Sequence, residues 1–245
     1  PRTIGASGPF PFCKSVSASI SSFIEKIARP TPGGNRTELK DALLRGIIVH
    51  EVLERFVKDV DADPDALNEA HLLSISETVL AKNVPWPAAR ILWSARLDRI
   101  APHFVQGEIT RRKTAKPIAF ERSASVSMTE PEFKLVGQAD RIDRDQNGDL
   151  VIYDYKTGSA PSRDQEKAFN KQLWLEAAMA AIGAFREPID IALIAYVALG
   201  SGGDVRDHPV TPGEVAGIIE GFGKLLAHYG NENNGFTSRR AMEKV

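Results

Sequence analysis

The chain has 245 residues, 42% hydrophobic and 26% charged, with a formal net charge of −1. This is the composition of a soluble globular protein, and the length suits one large domain or one domain with a helical extension. A single cysteine, Cys13, excludes an internal disulfide, and also a cysteine-only zinc site or an iron–sulfur cluster built from this chain alone.

One thiol fits a reducing cytoplasm. No apolar run reaches the ~18 residues of a membrane span, and no signal peptide is visible. The near-neutral balance does not by itself mark a nucleic-acid binder. The sequence starts on Pro1 and stops within "GFTSRRAMEKV" without a terminating signal, so the expectation is a piece of a longer polypeptide.

Residues 1–38 read as a linker or approach segment, rich in Pro, Gly and Ser ("IGASGPFPF", "RPTPGGN") and interrupted by one short helical stretch, "SASISSFIEKIA". Residues 39–245 form the main domain, helical over about 39–115 with its core over about 116–230. Apolar residues at 44, 48, 52, 53, 56 and 60 predict a helix from Glu38 to about Val60. "DADPDA" breaks it, and a second helix runs from about 65 to 82. "PWPAARILWSARLDRIAPHFVQGEITRRK" predicts a third, long helix with a kink or break at Pro102.

Strand chemistry begins near Pro117. "IAFERSASVSM" alternates in part, with Phe120, Ala124, Val126 and Met128 on one side. "EFKLVGQADRID" is a second strand, "RDQNGD" carries an Asn-Gly hairpin signal, and "LVIYDYK" is a third strand. These three form an antiparallel meander. A helix over about 164–183, a strand "IDIALIAYVAL" and a helix over about 212–229 complete the order. The fold class is α/β, a mixed sheet flanked by helices with a helical N-terminal part. The basic clusters, "RRK" at 111–113 with Lys116, Arg141 and Arg144, and Arg239-Arg240 near the end, read singly as solvated surface.

Asp154 and Lys156 lie two apart on the third strand and so point the same way, above Leu150 and Ile152. That face is apolar until its end, where it becomes charged, as a strand does when it runs out of core into a site. Asp140 lies near the end of the preceding strand, and the hairpin can bring it beside Asp154. Two adjacent carboxylates repel unless a cation sits between them or one is protonated. A divalent ion such as magnesium suits carboxylates and phosphate oxygens together, and it can stabilise charge on a phosphodiester under attack. Lys156 adds a flexible point charge for the same purpose.

The full string is restrictive. "GQADRID", the short Asn-Gly hairpin and "VIYDYKTG" resemble the RecB-like branch of the PD-(D/E)XK nucleases at Gly137, Asp140, Arg141, Ile142, Asp143, Asp154, Tyr155, Lys156, Thr157 and Gly158. The Gly-x-x-x-His signature of that family is matched by Gly46 and His50 in "RGIIVHEVLERF", and its helix glutamine by Gln172 in "KQLWLEAAMAA". The resemblance implies a restriction-endonuclease-like fold and Mg²⁺-dependent DNA cleavage, with Mn²⁺ able to substitute.

It also implies roles. Asp140, Asp154, His50 and the backbone carbonyl of Tyr155 would be metal ligands. Lys156 would be the catalytic lysine, and Gln172 would line the site and help hold substrate or the lysine. "QLWLEAAMAA" and the tail "GFTSRRAME" look like the C-terminal nuclease domains of the AddB family. That implies DNA as substrate, an AddA-like helicase subunit as partner, no membrane, a bacterial cytoplasmic location and a part in double-strand-break repair. Glu176 departs from the pattern, standing where many members have tyrosine. Some AddB proteins wrap this domain with an iron–sulfur cluster, which is not expected here.

Blander readings stand beside these. His50 taken alone is a core histidine at the edge of an apolar face. Glu54 and Glu121 read as structural or surface acids, Asp143 as a strand-end partner, and Arg141 as divided between an ion pair and a phosphate contact. Trp86, Trp93 and Trp174 read as core or interface residues, and His71, His103, His208 and His228 show no ligand spacing. The rivals to a helicase-linked nuclease are an inactive DNA-binding scaffold and a free-standing RecB-like exonuclease.

Overall fold

Apolar residues at three- and four-residue spacing build the helices ahead of the sheet. A computed structural model describes residues 17–19, 36–129, 132–168, 171–186, 188–201 and 204–231. Helix α1 (Arg36–Ala62) buries Ile48, Val52, Leu53, Phe56 and Val60 along one stripe. Helix α2 (Glu69–Asn83) is capped by Asn68, whose side chain accepts from the backbone N–H of His71. Helix α3 (Pro87–Thr114) opens on a proline, which has no N–H to leave unpaired there, and continues through Pro102, the expected break.

The sheet follows. Its strands are β1 (Ser17–Ser19), β2 (Ala115–Thr129), β3 (Glu132–Asp145), β4 (Leu150–Lys156), β5 (Ile191–Ala198) and β6 (Asp204–Pro209), six among the described residues. β2, β3 and β4 form the expected antiparallel meander, β5 joins β4 in parallel, β6 returns antiparallel, and β1 lies parallel along part of β3. Helices α4 (Arg163–Ala168) and α5 (Gln172–Ala181) link β4 to β5, and α6 (Pro212–Gly230) closes the described chain with a Thr211–Glu214 capping box.

This is the expected mixed α/β sheet between helical layers. β4 divides its side chains between two cores. Val151, Tyr153 and Tyr155 pack with α1, α2 and α3, while Leu150 and Ile152 pack with α5 and α6.

Several expectations change. Residues 17–19 of the stretch read as helical are a strand on β3, and 20–28 lie outside the described residues. The single helix expected over 164–183 is two helices, α4 and α5. β6 was not expected at all. Arg239 and Arg240 lie outside the described residues.

The basic cluster is not all surface. Arg141 is fully buried. Its Nε and Nη2 donate to Asp143 Oδ1 and Oδ2 at 2.5 and 2.7 Å, and its Nη1 donates to Glu108 Oε2 at 2.6 Å and to Tyr155 Oη at 3.3 Å. Arg111 and Arg112 close on the same Glu108 at 3.2 and 2.7 Å. Burial works against ionising Glu108, but Arg141, Arg111 and Arg112 outweigh it and hold its carboxyl below the ordinary range. Burial likewise opposes the charge on Arg141, and the surrounding acids and phenol outweigh it. This network clamps β3 to α3 beneath Tyr155.

Replacing Arg141 by Met strands the buried Asp143 and takes one of three cations from Glu108, and removing one partner of a buried pair costs about 3–5 kcal/mol. Urea unfolding should show a loss of that order for Arg141→Met. A loss within the error of a surface substitution would show that the network does not hold the sheet to the helix.

Candidate active site

β3 changes partner midway, and the site occupies the place where it does so. Its ladder with β4 runs to the pair Arg141 and Tyr153, and the next residues along the two strands are Asp140 and Asp154. Beyond them, Lys134–Val136 pair with β1. On the other edge of β3, Phe120 pairs with Arg141 and Arg122 with Ala139, which sets Glu121 across from Asp140. Opposed like charges destabilise a strand pair. Glu121 also has a positive φ of 43°, a left-handed conformation that costs a non-glycine residue on the order of 1–3 kcal/mol. Local structure is being spent to aim this acid.

His50 reaches the pair from α1. Its Nδ1 lies 3.4 Å from Glu121 Oε1 and 3.5 Å from Asp140 Oδ1, and its Nε2 lies 2.9 Å from the Tyr155 carbonyl oxygen. The remaining carboxylate oxygens are occupied. Asp140 Oδ2 accepts from the Tyr155 N–H at 2.8 Å, and Glu121 Oε2 accepts from Gln138 Nε2 at 2.5 Å. One ligand atom each of His50, Glu121 and Asp140 therefore lies within 4.8 Å of the others. Imidazole nitrogen with two carboxylate oxygens is a donor set that accepts Mg²⁺, Mn²⁺ and related divalent ions. Burial disfavours the imidazolium, but hydrogen bonding to Asp140 and Glu121 overcomes it and raises His50 to about 11. The proton stands where a cation would.

Asp154 is buried, and its carboxylate is gripped by Lys156, whose Nζ donates to Oδ1 at 2.9 Å and lies 2.8 Å from Oδ2. Burial pushes the Asp154 carboxyl up to about 6, with Asp140 adding to the rise against the pull of Lys156 and His50. The folded chain thus holds this proton more tightly than the unfolded chain does. Asp154 contributes stability at acid pH that is lost as pH rises from about 4 to about 6. For Lys156, burial disfavours the charge and Asp154 more than restores it, leaving the amine above its ordinary range. Lys156 is an ammonium, and its Nζ also lies 5.9 Å from the centre of the Tyr196 ring.

Gln172 opens α5 and donates from Nε2 to Glu176 Oε1 at 3.1 Å. Glu176 is buried, its Oε2 has no hydrogen-bond partner among the described residues, and burial with repulsion from Asp154 and Asp140 pushes its carboxyl well above the usual range. Glu54, by contrast, pairs with Lys58 one turn along on the exposed side of α1.

The acid the sequence reading undervalued is Glu121. Its signal is register, since it faces Asp140 only once the β2–β3 pairing is counted across the irregularity at Pro117 and Ala119. The Tyr155 carbonyl, expected to face a metal, accepts from His50. Asp154 lies outside the tight group of three and is held by Lys156.

A model of the PD-(D/E)XK nuclease superfamily matches residues 22–227. Among curated proteins, uncharacterized protein RT0391 of Rickettsia typhi is 30% identical over 141 residues, 55% of this chain and 16% of that protein. Uncharacterized protein RC0550 of Rickettsia conorii is 27% identical over 158 residues, 62% of this chain and 19% of that one. The chain thus spans under a fifth of the length of these two relatives. The crystal structure of SSO0001 aligns at 16% identity, covering 73% of this chain and 74% of that one, with a TM-score of 0.27.

A divalent cation entering between Glu121 and Asp140 must displace the His50 proton. Calorimetric titration of Mn²⁺ at pH 7 in buffers of different ionisation enthalpy should show release of about one proton per ion. The His50→Ala variant should release none. Equal proton release from both would place the cation elsewhere.

Proposed function

The chain belongs to the PD-(D/E)XK nuclease superfamily, and from that premise we propose that it is a metal-dependent deoxyribonuclease module, the nuclease of an AddB-like subunit that works beside an AddA-like helicase on broken DNA ends. The observation that carries the chemistry is the set of His50, Glu121 and Asp140 ligand atoms beside the Lys156–Asp154 pair. The AddB-like assignment rests on the likeness of "QLWLEAAMAA" and the tail "GFTSRRAME" to such domains, while the motif strings from Gly46 to Gln172 support the RecB-like branch. The greater length of the relatives fits a module within a larger polypeptide.

His50, Glu121 and Asp140 would hold the divalent ion, with Asp154 adding negative charge beside it. When bound, the ion supplies Lewis-acid neutralisation of the phosphate and its developing charge. The remaining work falls to the chain. The Tyr155 N–H fixes one oxygen of Asp140 and Gln138 fixes one of Glu121, so each acid presents its other oxygen in a set direction. Lys156 is held as an ammonium and does not serve as a base. It contributes hydrogen bonding and positive charge to the phosphodiester oxygens. Its hydrogen bond and ion pair with Asp154 fix its position before substrate arrives. Gln172, which donates to Glu176, would meet substrate or the lysine from α5.

Incubating the chain with end-labelled single- and double-stranded DNA should give cleavage that requires Mg²⁺ or Mn²⁺ and stops with EDTA. Asp140→Asn and Lys156→Ala should each lower the rate by about a hundredfold or more. Glu121→Gln should lower it comparably and weaken Mn²⁺ binding. DNA binding without metal-dependent cleavage, alone or with a helicase partner, would replace the nuclease with a DNA-binding scaffold.

A further inference from the structure

β4 and β5 run parallel and end together, with Lys156 across from Ala198. Both chains must leave the sheet at the same level, and they leave in contact. The chain behind the lysine bends at Thr157 and Gly158, and the chain behind Ala198 makes a short 3-10 turn, Leu199–Ser201. The Gly200 N–H donates to the Gly158 carbonyl oxygen at 3.2 Å.

The approach depends on the missing side chain. A Cβ on Gly200 would stand 2.9 Å from the Thr157 carbonyl oxygen, 3.0 Å from Gly158 Cα and 3.1 Å from the Gly158 carbonyl carbon. All three are backbone atoms, so no change of rotamer relieves the contact and one of the two turns must move. At Gly107 the same addition meets only the end of the Arg111 side chain. Gly200 is exposed, so no core packing calls for a small residue there. A second hold lies further along the same segment, where Arg206 Nη1 donates to the Pro161 carbonyl oxygen. The β5–β6 pair therefore grips the segment that leads from the lysine to α4.

This grip falls where β4 has begun to lose its other edge. The β3–β4 ladder stops at Tyr153, and the Tyr155 N–H goes instead to the side chain of Asp140. Pairing with β5 continues to Lys156. Asp154 cannot register the lysine against His50, Glu121 and Asp140, because it rides on the same strand. We propose that Gly200 is a positioning residue for Lys156, a latch that seats the turn behind the lysine, with Arg206 as its second hold. Its effect on catalysis rests on the nuclease reading; the latch can be tested apart from it.

The test uses the full chain and a labelled single strand of DNA with Mg²⁺. A misplacement of about 1 Å can cost about a hundredfold, so the smaller shift forced by Gly200→Ala should lower kcat about tenfold and leave KM within about twofold. Proton release on Mn²⁺ binding should match the parent, since His50, Glu121 and Asp140 lie on other elements. Added to Lys156→Ala, Gly200→Ala should lower the residual rate no further, because it acts through the lysine. Hydrogen–deuterium exchange over 157–162 should quicken in Gly200→Ala. Gly217→Ala, whose Cβ would meet nothing within 4 Å, should match the parent throughout. An unchanged kcat in Gly200→Ala overturns the proposal. So does an equal further loss in the Lys156→Ala background, or loss of the Mn²⁺-linked proton release, since either marks a general distortion. Should Gly200→Ala fail to fold, Arg206→Met decides: a lowered kcat with unchanged proton release supports the latch, and an unchanged kcat overturns it. A parent that cleaves no DNA overturns the nuclease reading, and the latch then stands if exchange over 157–162 quickens and falls if it does not.

Discussion

The site depends on a guanidinium that never touches it. Arg141 sits fully buried between Asp143 and Glu108 and donates to the Tyr155 hydroxyl. In the chain, Arg141 is the neighbour of Asp140, and Tyr155 is the neighbour of both Asp154 and Lys156. One rigid fork therefore sets the positions where two strands deliver their acids. Such a pair adds little net stability compared with a well-packed apolar substitute, so its value here is positional. The aromatic bodies of Tyr153 and Phe104 line it, with Arg141 5.2 Å from the Tyr153 ring centre and Arg111 5.2 Å from that of Phe104. Charge, packing and register are fixed by the same few residues.

The strand framework beneath is ordinary, and its violations gather in one place. β2 and β3 pair almost throughout their length, yet they oppose Glu121 to Asp140 and hold Glu121 at positive φ. β4 is buried along its whole length up to Lys156, and its charged end carries an acid pushed up to about 6. α5 buries Glu176 with one oxygen unmatched. Each of these costs stability, and packing elsewhere must offset them. Proteins concentrate such local conflicts where a ligand will relieve them. A divalent ion would relieve the opposition of Glu121 and Asp140.

The sequence made much of this legible. The Asn-Gly turn and two alternating runs specify the meander, and the i, i+3, i+4 spacing of α1 places His50 at the edge of its apolar stripe. What escaped did so for physical reasons. β6 is "DVRDHP", mostly exposed and polar, with no apolar period to betray it. α4 is six residues long, and nothing in composition separates it from α5. Glu108 hides in a long helix whose turn also carries Arg111 and Arg112, and only the fold reveals that Arg141 comes to meet it. Glu121 is the sharpest case. Strand alternation gives its face, but its partner depends on a register that shifts between Pro117 and Ala119, and a one-residue slip reverses every assignment.

Lys156 and Asp154 show why the residues of this site cannot be valued one at a time. Asp154 keeps the lysine charged, while the lysine and His50 together restrain the rise of Asp154. The group at His50 is in turn set by Asp140 and Glu121. A cation replacing the His50 proton would carry more charge than it removes, lowering Asp154 further and tightening its hold on Lys156. The state of the lysine is therefore linked to occupancy of a centre it does not touch. Removing Asp154 deletes a charge, frees an ammonium and alters the cation site together, so its effect cannot equal a single contact. A conservative change such as Asp154→Asn retains the shape and one hydrogen-bond acceptor but loses the charge. Comparing it with Asp154→Ala separates the electrostatic link from the positional one.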